Sequence, residues 1–219
     1  MKLTIYLFII LTTFTCANPK KDLVFNQVKA NDYPVIIGMY KKRIENKISY
    51  IKLPNQIKIR NTSYVNQTLS KINYYHFSPY IEKEKSQLGL YTIKNDSLIY
   101  ATNHQKRIIY GKDSLNYVYY IRCHLLDTTN AIQSQLKPYV EKMIKENKDT
   151  LHIGSFSQFK NKHYNLLELL TKNDTISLNF ITGLGKARKM KYNPTGSSKR
   201  SEVKVRPTRY KAVFFPVEW

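Results

Sequence analysis

The sequence predicts an α+β fold, mostly antiparallel β-sheet with two helices (about 130–147 and 158–171) between strand groups. Three observations predict it. Short runs rich in Val, Ile, Tyr and Thr recur through the first half, punctuated by Pro, Asn, Asp and Gly, as strands and tight turns require. Over residues 130–171 the apolar spacing lengthens from two to between three and four, the period of an amphipathic helix. After residue 174 the strand-like pattern returns.

Val35 to Tyr40, Ile48 to Leu53 and Gln56 to Arg60 read as strands, the last alternating Ile57 and Ile59 with polar neighbours. In "YTIKNDSLIY", Tyr91 to Tyr100, Asn95 and Asp96 tolerate the positive φ angles of a two-residue hairpin turn. That register sets Tyr91 against Tyr100 and Ile93 against Leu98. Asn116 to Leu126 reads as a long central strand, apolar on both faces near its middle.

Ile132, Leu136, Tyr139, Val140, Met143 and Ile144 form the stripe of the first helix, with Thr128 or Thr129 as its cap. Pro138 either sits in its first turn or kinks it. The second helix, about Gln158 to Thr171, has Ser157 as cap and Phe159, His163, Leu166, Leu167 and Leu170 on one stripe. Thr175 to Ile181 is a strand, and "YKAVFFPVEW" is a final strand whose Pro216 indicates a sheet edge.

The first residues are of another kind. Lys2 precedes the apolar run Leu3 to Leu11, too short for the roughly 20 residues of a membrane-spanning helix but of the length of a secretory signal. "TTFTCANPKKD" follows at residues 12–22. Thr13-Phe14-Thr15-Cys16 resembles a bacterial lipobox, with Phe14 and Thr15 where the motif usually has small residues. The resemblance implies a signal peptide over 1–15 and acylation of Cys16 as the new N-terminus. It further implies a tether over 16–24, a domain over 25–219 and an anchor in the envelope, in the outer membrane by preference. Thr15-Cys16-Ala17 also fits an ordinary signal-peptidase site, which would remove Cys16 and leave a secreted protein. An uncleaved anchor is the third alternative.

Some two hundred residues after processing suit one medium-sized domain with a substantial core. Hydrophobic content of 42%, with 18 tyrosines and 9 phenylalanines, argues against disorder. With Cys16 acylated or removed, Cys123 has no cysteine to pair with inside the chain and reads as a small buried hydrophobe. The formal charge of +21 rests mostly on lysine in a chain also rich in Ile, Asn and Tyr, all from A/T-rich codons. Codon bias does not account for one stretch: Lys186, Arg188, Lys189, Lys191, Lys199, Arg200, Lys204, Arg206, Arg209 and Lys211 stand against Glu202 alone. With Tyr192 and Tyr210 interleaved, these cations, Lys186 to Arg209 first, are the candidate contact for an anionic polymer or surface.

Motifs for catalysis are absent. Neither C-x-x-C nor H-E-x-x-H occurs, and Cys123 and His124, adjacent in a strand, point to opposite faces and cannot share an ion. "GLGKARK" lacks the first glycine and the hydroxyl of a phosphate loop, so Gly183 and Gly185 read as turn residues. Ser155 in "HIGSF" lacks the second glycine of a nucleophile elbow. No catalytic residue, metal ligand or cofactor is predicted. Asn61, Asn66, Asn95 and Asn173 form N-x-[S/T] sequons, about as many as chance gives in so Asn-rich a chain.

The sequence therefore predicts an exported envelope lipoprotein that binds an anionic glycan, lipopolysaccharide or protein partner through its basic stretch, without catalysis and without a role on chromosomal nucleic acid. Two other classes fit the same residues: a hydrolase of envelope or external polymer, with catalytic groups assembled from distant positions, and an envelope immunity or inhibitor protein.

Overall fold

The structure, a computed structural model, describes residues 22–28, 30–39, 46–82, 87–103, 105–125, 130–183 and 209–219. It is mostly antiparallel sheet with helices, as predicted. Sheet A is built from β1 (Leu23–Val28), β2 (Pro34–Met39), β3 (Ile48–Asn61), β5 (Gln87–Lys94), β6 (Ser97–Ala101), β8 (Ser114–His124) and β9 (Thr150–Ser155). Its order is β6-β5-β8-β3-β2-β9, and β1 pairs with the second half of β3. Sheet B has the order β11-β10-β4-β7, from β4 (Gln67–Tyr75), β7 (Arg107–Ile109), β10 (Thr175–Gly183) and β11 (Arg209–Pro216). Three helices complete the described residues: α1 (Asn130–Lys145), α2 (Phe156–Lys162) and α3 (Tyr164–Thr171).

Alternation along β3 and β8 decides which face of sheet A is covered. Ile51, Leu53, Ile57 and Ile59 of β3 share a face with Tyr117, Tyr119, Ile121 and Cys123 of β8, and all are buried. Leu69 and Ile72 of β4, with Ile176, Leu178 and Phe180 of β10, supply the opposing layer from sheet B. The helices join the same core. α1 packs on β9 and the start of β3 through Ile132, Leu136, Val140 and Met143, and α2 packs on β9 and β2. The Gln133 amide fixes that docking: it donates to Ile48 O (2.8 Å) and accepts from Ile48 N (3.0 Å), in the manner of a neighbouring strand.

The predicted hairpin is present in the predicted register: Asn95 (φ 49°) and Asp96 (φ 57°) make the turn, with Tyr91 opposite Tyr100 and Ile93 opposite Leu98. β8, β10 and β11 lie where the sequence put them, β11 at an edge of sheet B.

Several boundaries differ. The two strands expected on either side of Pro54 are one continuous strand, β3. β2 pairs with Ile48 to Lys52 and β1 with Gln56 to Asn61, so Pro54 falls where neither is opposite, and its missing N–H costs no ladder bond on that side. β1 already begins at Leu23, inside the expected tether. β1, β4, β7 and β9 were not expected as strands.

α1 starts at Asn130 and ends at Lys145 with Pro138 in its interior, while Ile144, expected on the apolar stripe, is exposed. The single second helix is a correction: it is two helices, broken at His163, whose backbone leaves the helical region (φ −129°, ψ 40°). Its cap is Ser155 rather than Ser157. The Ser155 hydroxyl accepts from Gln158 N while the Gln158 side chain accepts from Ser155 N, a reciprocal capping box that satisfies two N-terminal N–H groups.

Candidate ligand-binding cleft

β1 and β11 are outer strands of different sheets, and their inward faces meet where Phe25 stacks on Phe215 with centroids 4.2 Å apart and rings 16° from parallel. Beside this pair lies an open cleft of about 500 Å³, within the range of small-molecule sites. Ile59, Leu178 and Phe180 form its buried floor, and the half-buried Phe25, Val213 and Phe215 its walls. Asp22, Gln67 and Lys211 stand among the residues that line it.

Strand register explains this composition. Phe25 pairs with Ile59 across β1 and β3, Val213 with Leu178 and Lys211 with Phe180 across β11 and β10, so Phe215, Val213 and Lys211 lie on one face of β11. Lys211 ends that series as an exposed cation. Phe214, one step out of phase, turns to the other face of sheet B, where it is 60% exposed and 5.9 Å from Tyr75. Beyond β11 the chain crosses to sheet A and α2: Glu218 N donates to Gln27 Oε1 of β1 (3.0 Å), Glu218 O accepts from Gln27 Nε2, and Lys160 Nζ of α2 donates to Trp219 O (2.6 Å). The wall that β11 gives the cleft is held by both sheets.

A second polar constellation lies between the sheets around Asp174, in the turn before β10. Its carboxylate accepts from Tyr74 Oη (2.8 Å) and Phe77 N (3.0 Å), and His76 Nδ1 lies at 3.1 Å. A histidine held by a carboxylate can serve as a general base, but here the His76 side chain is 3% and that of Asp174 0% exposed. No polymer reaches them without opening the core. Burial, then the nearby Asp174 carboxylate, pushes the Tyr74 phenol, the Tyr119 phenol and the Cys123 thiol above their ordinary values, keeping all three neutral. His76 Nε2, Tyr119 Oη and Trp219 Nε1 are buried without a hydrogen-bond partner among the described residues.

Cys16, and Lys186 to Arg206 of the predicted contact, lie outside the described residues, as do Gly185 and His104. Arg209 opens β11 opposite Gly183, so the stretch between them joins two paired neighbouring strands and both its ends are fixed at one end of sheet B. Gly183, expected in a turn, belongs to β10 at a register shift. Cys123 is buried on the inter-sheet face, and His124 lies tilted against Tyr50 on the other, as their adjacency predicts. Among the described residues no three His, Cys, Asp or Glu side chains converge as a metal site would need, and no helix is long and apolar enough to cross a membrane. Asn61, a predicted sequon residue, is fully buried with its amide bonded to Val65 O (2.8 Å), Ile109 O and Tyr110 O (both 3.2 Å), so the folded chain offers it to no glycan.

The cleft was missed in the sequence. Its one local signal is the alternation of Val213 and Phe215 around Phe214, and nothing in that alternation names β1 as the opposite wall. No protein-family model matches the chain, and no curated protein does.

Proposed function

We propose that the chain is an exported envelope protein, anchored through an acylated Cys16 in the outer membrane, that binds an anionic partner without transforming it. The basic stretch from Lys186 through Arg188, Lys189, Lys191, Lys199, Arg200, Lys204 and Arg206 to Arg209 is the contact. The observation that carries this proposal is the pairing of Gly183 with Arg209. It holds both ends of a strongly cationic stretch together, close to where exposed Lys211 lines an apolar cleft. A segment tied at both ends has less freedom to lose on binding than a free tail. The partner is an acidic surface, glycan or lipopolysaccharide of the envelope, drawn in by phosphate, sulfate or carboxylate contacts that weaken with salt.

Replacing Arg188, Arg200, Arg206 and Arg209 with Glu tests the contact. In a Cys16→Ala chain, which carries no acyl anchor, retention on vesicles containing phosphatidylglycerol should be lost at low salt while the melting temperature stays unchanged, and undiminished retention would overturn it. The anchor has its own test, the intact mass of the mature N-terminus: an acylated Cys16 absent from Cys16→Ala supports it, and an unmodified chain starting at Asn18 refutes it.

A further inference from the structure

The cleft has two features that an unfilled packing gap does not combine. Its interior is apolar across both sheets, with Phe25 and Phe215 stacked as half-buried walls instead of sealed into the core. At one end of the β11 wall the inward-facing series closes on a cation, Lys211, where Phe215 and Val213 give way to charge over the length of one strand. An apolar slot ending in an ammonium group matches a molecule with the same polarity along its length. We infer that the cleft binds one fatty-acyl chain carrying an anionic head, a free fatty acid in its simplest form, with the chain along Ile59, Leu178 and Val213 and the carboxylate at Lys211.

This rests on the proposal that the protein binds anionic partners, and it names the chemical class taken at the folded end of that contact. Asp22 also lines the cleft, on the β1 side, where Asp22 O accepts from Thr62 N (2.8 Å). Its carboxylate disfavours an anionic head, so removing its charge should tighten binding of the acid.

The test is displacement of a fluorescent fatty acid from the mature full chain by saturated fatty acids of increasing length and by the corresponding alcohols. One saturable site is expected, tightening about fourfold per added methylene until the cleft is full. Val213→Trp, which fills the slot from an edge strand, should weaken binding at least tenfold. Lys211→Glu should weaken the acids roughly two- to fivefold, the range of an exposed ion pair, and leave the alcohols unchanged. Asp22→Asn should shift the acids the other way.

Absence of saturable binding, or equal binding by a folded Val213→Trp chain, overturns the inference. If Val213→Trp fails to fold, the acid-against-alcohol contrast in Lys211→Glu decides it, and equal effects on both overturn it. Loss of vesicle retention in the four-arginine variant is read separately. Retention that depends on those arginines with no fatty-acid binding removes the cleft inference alone; fatty-acid binding with retention unaffected by them removes the wider proposal alone.

Discussion

Lys52 and Arg122 stand opposite each other on β3 and β8, on the face of sheet A turned away from sheet B, and both lie against the ring of Tyr50. The Arg122 guanidinium is 4.0 Å from the ring centroid and the Lys52 ammonium 5.7 Å. Gly38 lies against the same ring, where an added Cβ would come within 2.1 Å of Tyr50 Cζ. The ring offers each cation some attraction, but like charges directly opposite on neighbouring strands repel.

Burial, and after it Arg122, lowers the Lys52 pKa. Lys52→Gln should therefore stabilise the chain by roughly 0.2–1 kcal/mol, read as a higher urea midpoint at neutral pH. The sign in pH follows. Between the lowered folded value and the ordinary lysine value the unfolded chain holds more protons, so stability from this group rises with pH across that window and is flat below it. Added sodium chloride should raise the melting temperature of the parent chain more than that of the variant. A lower midpoint for Lys52→Gln would show that Lys52 is held by an attraction stronger than the repulsion.

Tyr139 Oη and His163 Nε2 are 2.8 Å apart where α1 meets the break between α2 and α3. Burial, then Lys162, lowers the His163 pKa. A neutral imidazole protonated at Nδ1 accepts the tyrosine proton at Nε2, whereas an imidazolium only donates there to Tyr139 Oη, so the contact survives protonation and the cost of the charge comes from burial and Lys162. The unfolded chain binds the extra proton first, so stability should fall as pH drops from about 6.5 to the folded value and flatten below it. In His163→Gln this part of the pH dependence of the urea midpoint should disappear. An unchanged profile would assign it to other groups.

What the sequence revealed and what it hid divide by distance along the chain. The Tyr91–Tyr100 hairpin was legible to its register because Asn95, Asp96 and the flanking alternation are all local. β4 was not, because a register shift against β10 sets its buried Leu69 and Ile72 three residues apart and breaks the period of two. Pro54 suggested a strand break because its harmlessness depends on where β2 ends and β1 begins. The cleft depends on β1 meeting β11, elements from opposite ends of the described chain, and no local pattern in either names its partner. The cationic stretch was legible as composition alone.

Asn61 holds the crossing between the sheets. Its amide nitrogen serves the carbonyls of Val65, Ile109 and Tyr110, and its Oδ1 accepts from Ser63 N (3.0 Å) and Ser63 Oγ (2.8 Å). No other side chain of this size offers two donors and an acceptor in that arrangement. Asn61→Ala should cost about 1–3 kcal/mol, chiefly by leaving the buried Ile109 carbonyl unpaired, with smaller losses at the part-buried Tyr110 O and Ser63 N. Asn61→Asp should cost at least as much, since it turns a carboxylate oxygen toward three carbonyls. Denaturant unfolding of both variants measures this, and a loss under about 0.5 kcal/mol in Asn61→Ala would mean that water satisfies the site.

Cys123 reports on the Asp174 cluster without belonging to it. The thiol is fully buried between the sheets, and burial with the Asp174 carboxylate behind it holds the pKa well above that of a free cysteine. Alkylation needs both exposure and a thiolate, so in the Cys16→Ala background iodoacetamide should label Cys123 only through opening of the core. Asp174→Ala removes the acceptor of Tyr74 Oη and Phe77 N and the carboxylate beside His76 Nδ1, at a cost of about 2–4 kcal/mol from stranded buried polar groups. Because each 1.4 kcal/mol is tenfold in an equilibrium, labelling should then accelerate by roughly 30- to 1,000-fold where opening precedes reaction. Faster labelling with an unchanged urea midpoint would mean that only the surroundings of Cys123 had loosened. Equal labelling rates in both chains would mean that the cluster contributes nothing to the stability of the inter-sheet core.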